Sequence, residues 1–184
     1  MKEIKPVNIT PVEFEQQVKS WLKKSGRKLK SFYVNHREKL GGRSGDYELD
    51  ILATIEIFNG ADIYILIECN CHSNPIKRDE IMLVNRKLKE TGAHKGLVFS
   101  TSGFQGGALD YASEHKIATV TVQDGKSNYH TRSEGSNIPS PSRVKTSKFI
   151  GWFTSGKSGS ERHSVIDDDR IDPIATWLED KEEE

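Results

Sequence analysis

The sequence predicts an α/β fold in which a mixed sheet packs between helices. Three observations predict it. Apolar residues recur at helical spacing in residues 9–25, 77–91 and 105–115. Residues 47–58 and 62–71 alternate apolar and polar side chains on either side of Asn59-Gly60, a strong hairpin signal. The later helices alternate with short apolar strands at 97–100 and 117–122, which calls for parallel pairing, since a crossover helix joins them.

Each element has its own local cause. Thr10-Pro11-Val12-Glu13 reads as a capping box with proline at the first helical position. Phe14, Val18, Trp21 and Leu22 follow on one face, and Gly26 ends the helix. Residues 29–36 predict a strand through Leu29, Phe32 and Val34, and Gly41 to Gly45 predicts a loop. In the hairpin, Leu49, Ile51, Ala53, Ile55 and Ile57 share one face with Ile63, Ile65, Ile67, Cys69 and Cys71. Asp50, Thr54, Glu56, Asp62, Glu68 and Asn70 take the other. A two-residue turn at Asn59-Gly60 places Asp50 opposite Cys69, which sends one apolar face into water. A three-residue loop or bulge at 59–61 is therefore expected, with Asp50 across from Asn70 and beside Glu68. Ile81, Val84 and Leu88 define the second helix, ended by Gly92; Ala108, Tyr111 and Ala112 define the third.

Composition bounds the function classes. The chain of 184 residues is long enough for one domain and short for two. No apolar run approaches the ~20 residues that span a bilayer, and MKEIKPVNIT lacks the apolar segment of a secretory signal. Its two cysteines, Cys69 and Cys71, are poorly placed to bridge each other, so reduced thiols and a cytoplasmic location are expected. The net charge is zero but unevenly placed. Lys19 to Arg43 holds nine basic residues and one acid, and Glu161 to Glu184 holds ten acids and three basic residues. Such a basic segment suits contact with DNA phosphates as well as it suits a solvated helix face.

The chemistry-bearing residues lie on the hairpin. Two acids on one face of neighbouring strands form the kind of site that Mg²⁺ takes, since it needs few carboxylates and retains waters. Asp50 and Glu68 meet this requirement, and an acidic pair on a solvated face is the plainer account of them. Glu15, at the edge of the first helix's apolar stripe, is a third carboxylate for the same place. Cys69, Cys71 and His72 make an incomplete zinc set and read as small buried residues. Ser100 to Ser102 with Gln105 to Gly107 opens a helix, where an ordinary N-cap competes with a phosphate contact.

The flanks of these acids carry a resemblance. Gly-Arg-Ser-Gly-Asp-Tyr-Glu-Leu-Asp50, followed by Leu-Ile-Glu68-Cys-Asn70, resembles the PD-(D/E)xK nuclease pattern in its Mrr-like restriction endonuclease form. The likeness continues through Asn74 to Lys77, Thr91 to Gly96, Phe99 to Gln105 and Gly107 to Ala112, and it spans roughly residues 12–122. It implies a restriction-endonuclease-like α/β/α sandwich, a DNA substrate and Mg²⁺-dependent cleavage, with Mn²⁺ as a substitute. It implies that Asp50, Glu68 and the Cys69 carbonyl hold the metal, with Glu15 in support. The sequence departs from the family where Asn70 replaces the lysine that activates water. Asn hydrogen-bonds water but carries no positive charge. Metal alone, a charge from Lys77 or Arg78, or loss of catalysis are the three accounts of this.

The expected layout is a nuclease domain at 1–123, a Ser- and Gly-rich linker at 124–147 and an extension at 148–184. The extension carries apolar patches, Phe149 to Phe153 and Ile174 to Leu178, and an acidic tail. The expected function is a metal-dependent DNA endonuclease, with no membrane partner and a homodimer as one assembly. Its rivals are an inactive DNA-binding or regulatory module of the same fold and a protein-interaction domain that uses the apolar patches.

Overall fold

The computed structural model describes residues 7–29, 31–57, 60–124, 147–156 and 160–179. Most of the segment read as a linker, and the acidic tail from residue 180, lie outside the described residues. In chain order the elements are α1 (Pro11–Ser25), a 3₁₀ turn (Gly26–Lys28), β1 (Phe32–Gly42), β2 (Gly45–Ile57) and β3 (Ala61–Asn70). Then come α2 (Arg78–Thr91), β4 (Lys95–Ser100), α3 (Gly106–Glu114) and β5 (Ala118–Asp124). β6 (Phe149–Ser155), β7 (Arg162–Ile166) and α4 (Asp172–Glu179) complete the set.

The strands form one seven-stranded sheet whose spatial order follows the sequence order. β3, β4 and β5 are parallel, and the outer pairs are antiparallel. The expected connection by helices accounts for this: α2 and α3 each return the chain to start a parallel neighbour. Two apolar layers cover the sheet. On one side Phe14, Val18, Trp21 and Leu22 of α1, with Ile174 and Leu178 of α4, pack on Ile51, Ile65, Ile67, Phe99 and Val120. On the other, Ile81 and Val84 of α2 and Ala108 and Ala112 of α3 pack on Leu52, Leu66 and Val98.

The α1 capping box forms: Thr10 Oγ1 accepts from the Glu13 N–H at 3.3 Å, and the Glu13 carboxylate accepts from the Thr10 N–H at 3.0 Å. Gly92 ends α2 in the left-handed region that suits glycine. β1 is longer than expected. Its ladder with β2 runs to the pair Gly42↔Gly45, so the expected loop shrinks to Arg43-Ser44. Residues 35–42 alternate between half-buried and exposed and so lack the apolar pattern that marks a strand.

The register of β2 on β3 corrects the sequence expectation. The ladder closes at Ile57↔Ala61, which leaves three residues, 58–60, between the strands. The loop length is as expected, but it lies one position earlier, and this shifts the pairing by two residues. Ile51 pairs with Ile67, so the next step brings Asp50 level with Glu68 rather than Asn70. A two-residue shift preserves which face each side chain takes, which is why hydrophobic pattern alone did not distinguish the two registers. Leu49 is a second correction. It is fully buried against α2 and not on the α1 side with Ile51. The strand turns over at Asp50.

Residues 149–179 add to the same core. Phe149 and Phe153 join the α1 layer, and β6 pairs with β5 from Asp124↔Phe149 to Thr119↔Thr154. Asp168 fastens the end of this segment to α1. One carboxylate oxygen, Oδ1, accepts from Gln17 Nε2 at 3.1 Å, from the buried Trp21 indole N–H at 3.0 Å and from Lys24 at 3.4 Å. Removing it orphans a buried donor, which costs about 1–3 kcal/mol. Asp168→Ala is therefore expected to lower unfolding free energy by about that amount, measured by urea denaturation followed at Trp fluorescence. An unchanged midpoint would show that the docking does not depend on this carboxylate.

Candidate functional site

The site forms where β2 and β3 part. Their ladder runs only to Ile51↔Ile67, while β3 continues beside β4 through Glu68↔Val98, Cys69↔Phe99 and Asn70↔Ser100. Beyond Ile67 the β3 edge that faced β2 has lost its ladder partner. The Asp50 side chain takes that place: its Oδ2 accepts from the Cys69 N–H at 2.7 Å. The acid is thus held by the backbone of the strand that carries the second acid.

Glu68 is more enclosed. Its Oε1 accepts from Lys87 Nζ of α2 at 2.7 Å, with the carboxylate only 16% exposed and the lysine 26%. Burial pushes the carboxyl of Glu68 up, opposed by Lys87, while the charge of Asp50 adds to the rise. Asp50 is also raised, first by burial and then by Glu15, against the lowering effect of the Cys69 N–H, Lys87 and Arg37. Two carboxylates that resist ionisation and repel each other form a place where a divalent cation is favourable. Asp50 Oδ1 and Glu68 Oε2 accept no hydrogen bond from the described residues, so each acid keeps one oxygen open. Among the described residues no group of three or more His, Cys, Asp and Glu side chains is arranged to hold a metal ion. The open pair fits an ion that retains water and takes main-chain oxygen, as Mg²⁺ does.

Glu15 reaches this region from α1. It is 6% exposed, its Oε2 pairs with His36 Nε2 of β1, and it accepts from Arg37 Nε at 3.3 Å. His36 in turn meets Gln16 Nε2 through Nδ1 at 3.1 Å. Asn70 is half-buried at the end of β3, and its carbonyl accepts from Thr101 N–H at 3.1 Å. Its side chain makes no hydrogen bond with the described residues.

The structure therefore brings Asp50 and Glu68 together and sets Glu15 near enough to act on the charge of Asp50. It does not bring in Lys77, which is exposed at the N-terminus of α2 and donates its N–H to Glu80 at 2.8 Å. The α2 cation beside the acids is Lys87, nearly three turns further along the helix. The sequence held a signal for it: Lys87 follows the buried Val84 by three positions and so flanks the stripe that faces the sheet. His36 and Arg37 carried no such signal, because nothing in the spacing ties β1 to Glu15. Cys69 packs against the α1 layer, and burial pushes its thiol well up.

A mixed sheet with half-buried paired acids where its strands part, and with helices on both faces, makes an α/β/α sandwich of the restriction-endonuclease-like kind. The family model described as "Restriction endonuclease", for the Mrr catalytic domain, matches residues 7–127. The chain belongs to this restriction endonuclease family. A crystal structure titled as a protein of unknown function, AF1548, is similar at 19% identity and a TM-score of 0.46, over 58% of this chain. The chain covers 56% of that structure's length. No curated protein matches.

The raised acids give a pH test. A carboxyl raised in the folded state stabilises the fold below its unfolded value, and that stability is lost as pH rises through the folded value. At neutral pH both acids therefore oppose folding. Asp50→Asn retains an acceptor for the Cys69 N–H and removes one charge. It is expected to melt a few degrees above the wild type at neutral pH, with the gap closing as pH falls through the ordinary carboxylate range. Mg²⁺ should raise the wild-type Tm and not the variant's. A variant less stable at neutral pH would show that the acids are not crowded.

Proposed function

We propose that the protein is a divalent-metal-dependent endodeoxyribonuclease that hydrolyses phosphodiester bonds at the Asp50–Glu68 pair. The observation that carries this is the parting of β2 and β3, with an open oxygen on each acid and Lys87 against Glu68. Asp50, Glu68 and the Cys69 carbonyl would hold the ion. When bound, Mg²⁺ or Mn²⁺ supplies neutralisation of the phosphoryl oxygens and a more acidic water. The chain's residues do the rest. The Cys69 N–H orients Asp50. Glu15 adds negative charge beside it. Asn70 offers a hydrogen bond to the attacking water, and Lys87 supplies the positive charge that Asn70 does not. Lys77 is left to backbone phosphates near the start of α2.

DNA as substrate also fits the outer face of α1. Gln16, Lys19, Ser20, Lys23, Lys24 and Arg27 line an open groove there, and Gln16 links it to the Glu15 group through His36. Lys24 is shared with Asp168. Phosphate contacts along this groove release counterions. Replacing Lys19, Lys23 and Arg27 by Gln is expected to reduce the salt dependence of DNA binding by about two to three units of log–log slope. An unchanged slope, by fluorescence anisotropy over a salt series, would place the DNA elsewhere.

Asn70 favours a second reading, in which the same fold binds DNA and does not cut it. Supercoiled plasmid in Mg²⁺ and Mn²⁺ separates the two. The wild type is expected to nick it and Asp50→Ala is not. Lys87→Met should lose on the order of 100-fold or more, as for a lost group that stabilises transition-state charge. Asn70→Lys in the Lys87→Met background should recover part of it, because the charge returns from the neighbouring strand. A wild type inert in both metals supports the binding-only reading. Full activity of Lys87→Met would remove Lys87 from the mechanism.

A further inference from the structure

Arg37 has backbone φ 52, in the left-handed region that side-chain-bearing residues avoid. Two other described residues besides glycine share a positive φ, Ser31 and Lys116. Each precedes a strand, where the chain reverses. Arg37 lies in the middle of β1.

The ladder around it has a specific form. His36 pairs with Ile51 and Glu38 with Leu49, so the register is the same before and after. Nothing is inserted, and the step that drops out is Arg37 against Asp50. The left-handed residue thus lies abreast of the acid at which β2 turns over. It also breaks the alternation of side chains. Consecutive residues on a strand point to opposite faces. Here His36 and Arg37 both reach Glu15 Oε2, on the α1 side. The twist at Arg37 allows this.

The guanidinium is only partly engaged. Its Nε bonds Glu15 at 3.3 Å, the side chain is 53% exposed, and no described residue accepts from its two Nη groups. Its charge lowers the carboxyl of Asp50 from across the strand gap. Lys87 stands on the opposite layer, committed to Glu68. A phosphate that approaches the open oxygens of the acid pair, with a metal between, arrives within reach of a fork of free donors suited to two phosphate oxygens.

We propose that Arg37 contacts the scissile phosphate through its Nη donors, and that the left-handed backbone at residue 37 serves to aim it; this rests on the nuclease reading for the word scissile. Strain held at a position where glycine or asparagine fits better is the mark of a residue kept for what its side chain touches.

The test compares Arg37→Gly, Arg37→Asn and Arg37→Lys with the wild type in three measurements. These are Tm, the salt dependence of binding to a short DNA duplex in Ca²⁺, and plasmid nicking in Mg²⁺. Gly and Asn suit the backbone but leave Glu15 with His36 as its remaining side-chain partner, so Tm separates loss of fold from loss of a contact. Their binding slope should fall by about one unit, the value of one phosphate contact, and their nicking by tenfold or more. Arg37→Lys should hold the slope and lose part of the nicking, since it retains charge without the fork. An unchanged slope in Gly and Asn overturns the proposal; with a lowered Tm it makes Arg37 a brace for Glu15. If the wild type binds but does not cut, and the slope still depends on Arg37, the nuclease reading fails and the phosphate contact stands. A wild type that does not bind DNA overturns both.

Discussion

At Ile51↔Ile67 the antiparallel ladder of β2 and β3 ends, yet β3 runs on for three residues beside β4. A sheet edge opened in its own interior leaves backbone donors without partners, and a buried unpaired donor is costly. The Asp50 carboxylate meets the Cys69 N–H at 2.7 Å and closes that gap. Much of the site follows from this one bond. It holds an acid in the cleft, level with Glu68, and it exposes the second oxygen of that acid. It also requires β2 to turn over, which sends Leu49 to the α2 layer while Ile51 stays under α1.

The charges around the cleft come from separate layers. Glu15 arrives from α1, Arg37 from the edge strand β1 and Lys87 from α2. Burial raises both central acids; Lys87 opposes the rise of both without matching it, and Arg37 opposes that of Asp50. Both central acids thus stay raised chiefly by burial, with Glu15 adding to the rise of Asp50 and Asp50 to that of Glu68. Acids whose charged forms burial disfavours gain from a bound cation, and the proposed metal site would use that property.

Much of this was legible in the sequence, and the limits have physical causes. Side-chain period two holds along β2 only as far as Ile51, where the strand turns over, and it is blind to a shift of two residues, which separates Asn70 from Glu68 as the neighbour of Asp50. Lys77 drew attention because it begins a helix next to the second strand. Lys87 lies on that helix's buried flank instead, where a lysine looks like solvated surface until the helix is docked. β7 carries a single buried residue, Ile166, so its five residues showed no pattern. Arg37 is the least legible: a left-handed residue within a strand has no signature in composition or spacing.

The departure at Asn70 acquires a different meaning in this setting. Lysine at the end of β3 would bring its charge along the strand, one residue from the Cys69 N–H that orients Asp50. In this chain the charge crosses from the helix layer and meets Glu68 at 2.7 Å, while Asn70 keeps its backbone in the β3–β4 ladder and its side chain unengaged. The charge requirement concerns a point in space between the acids and not a position in the chain. An ammonium fulfils it from any element that reaches that point. A helix packed across the sheet does so with a long side chain that covers apolar surface on the way. On the nuclease reading, Asn70 in place of the strand lysine moves the source of the charge to α2. On that reading, activity turns on whether Lys87, bound to Glu68 at 2.7 Å, also faces the phosphate.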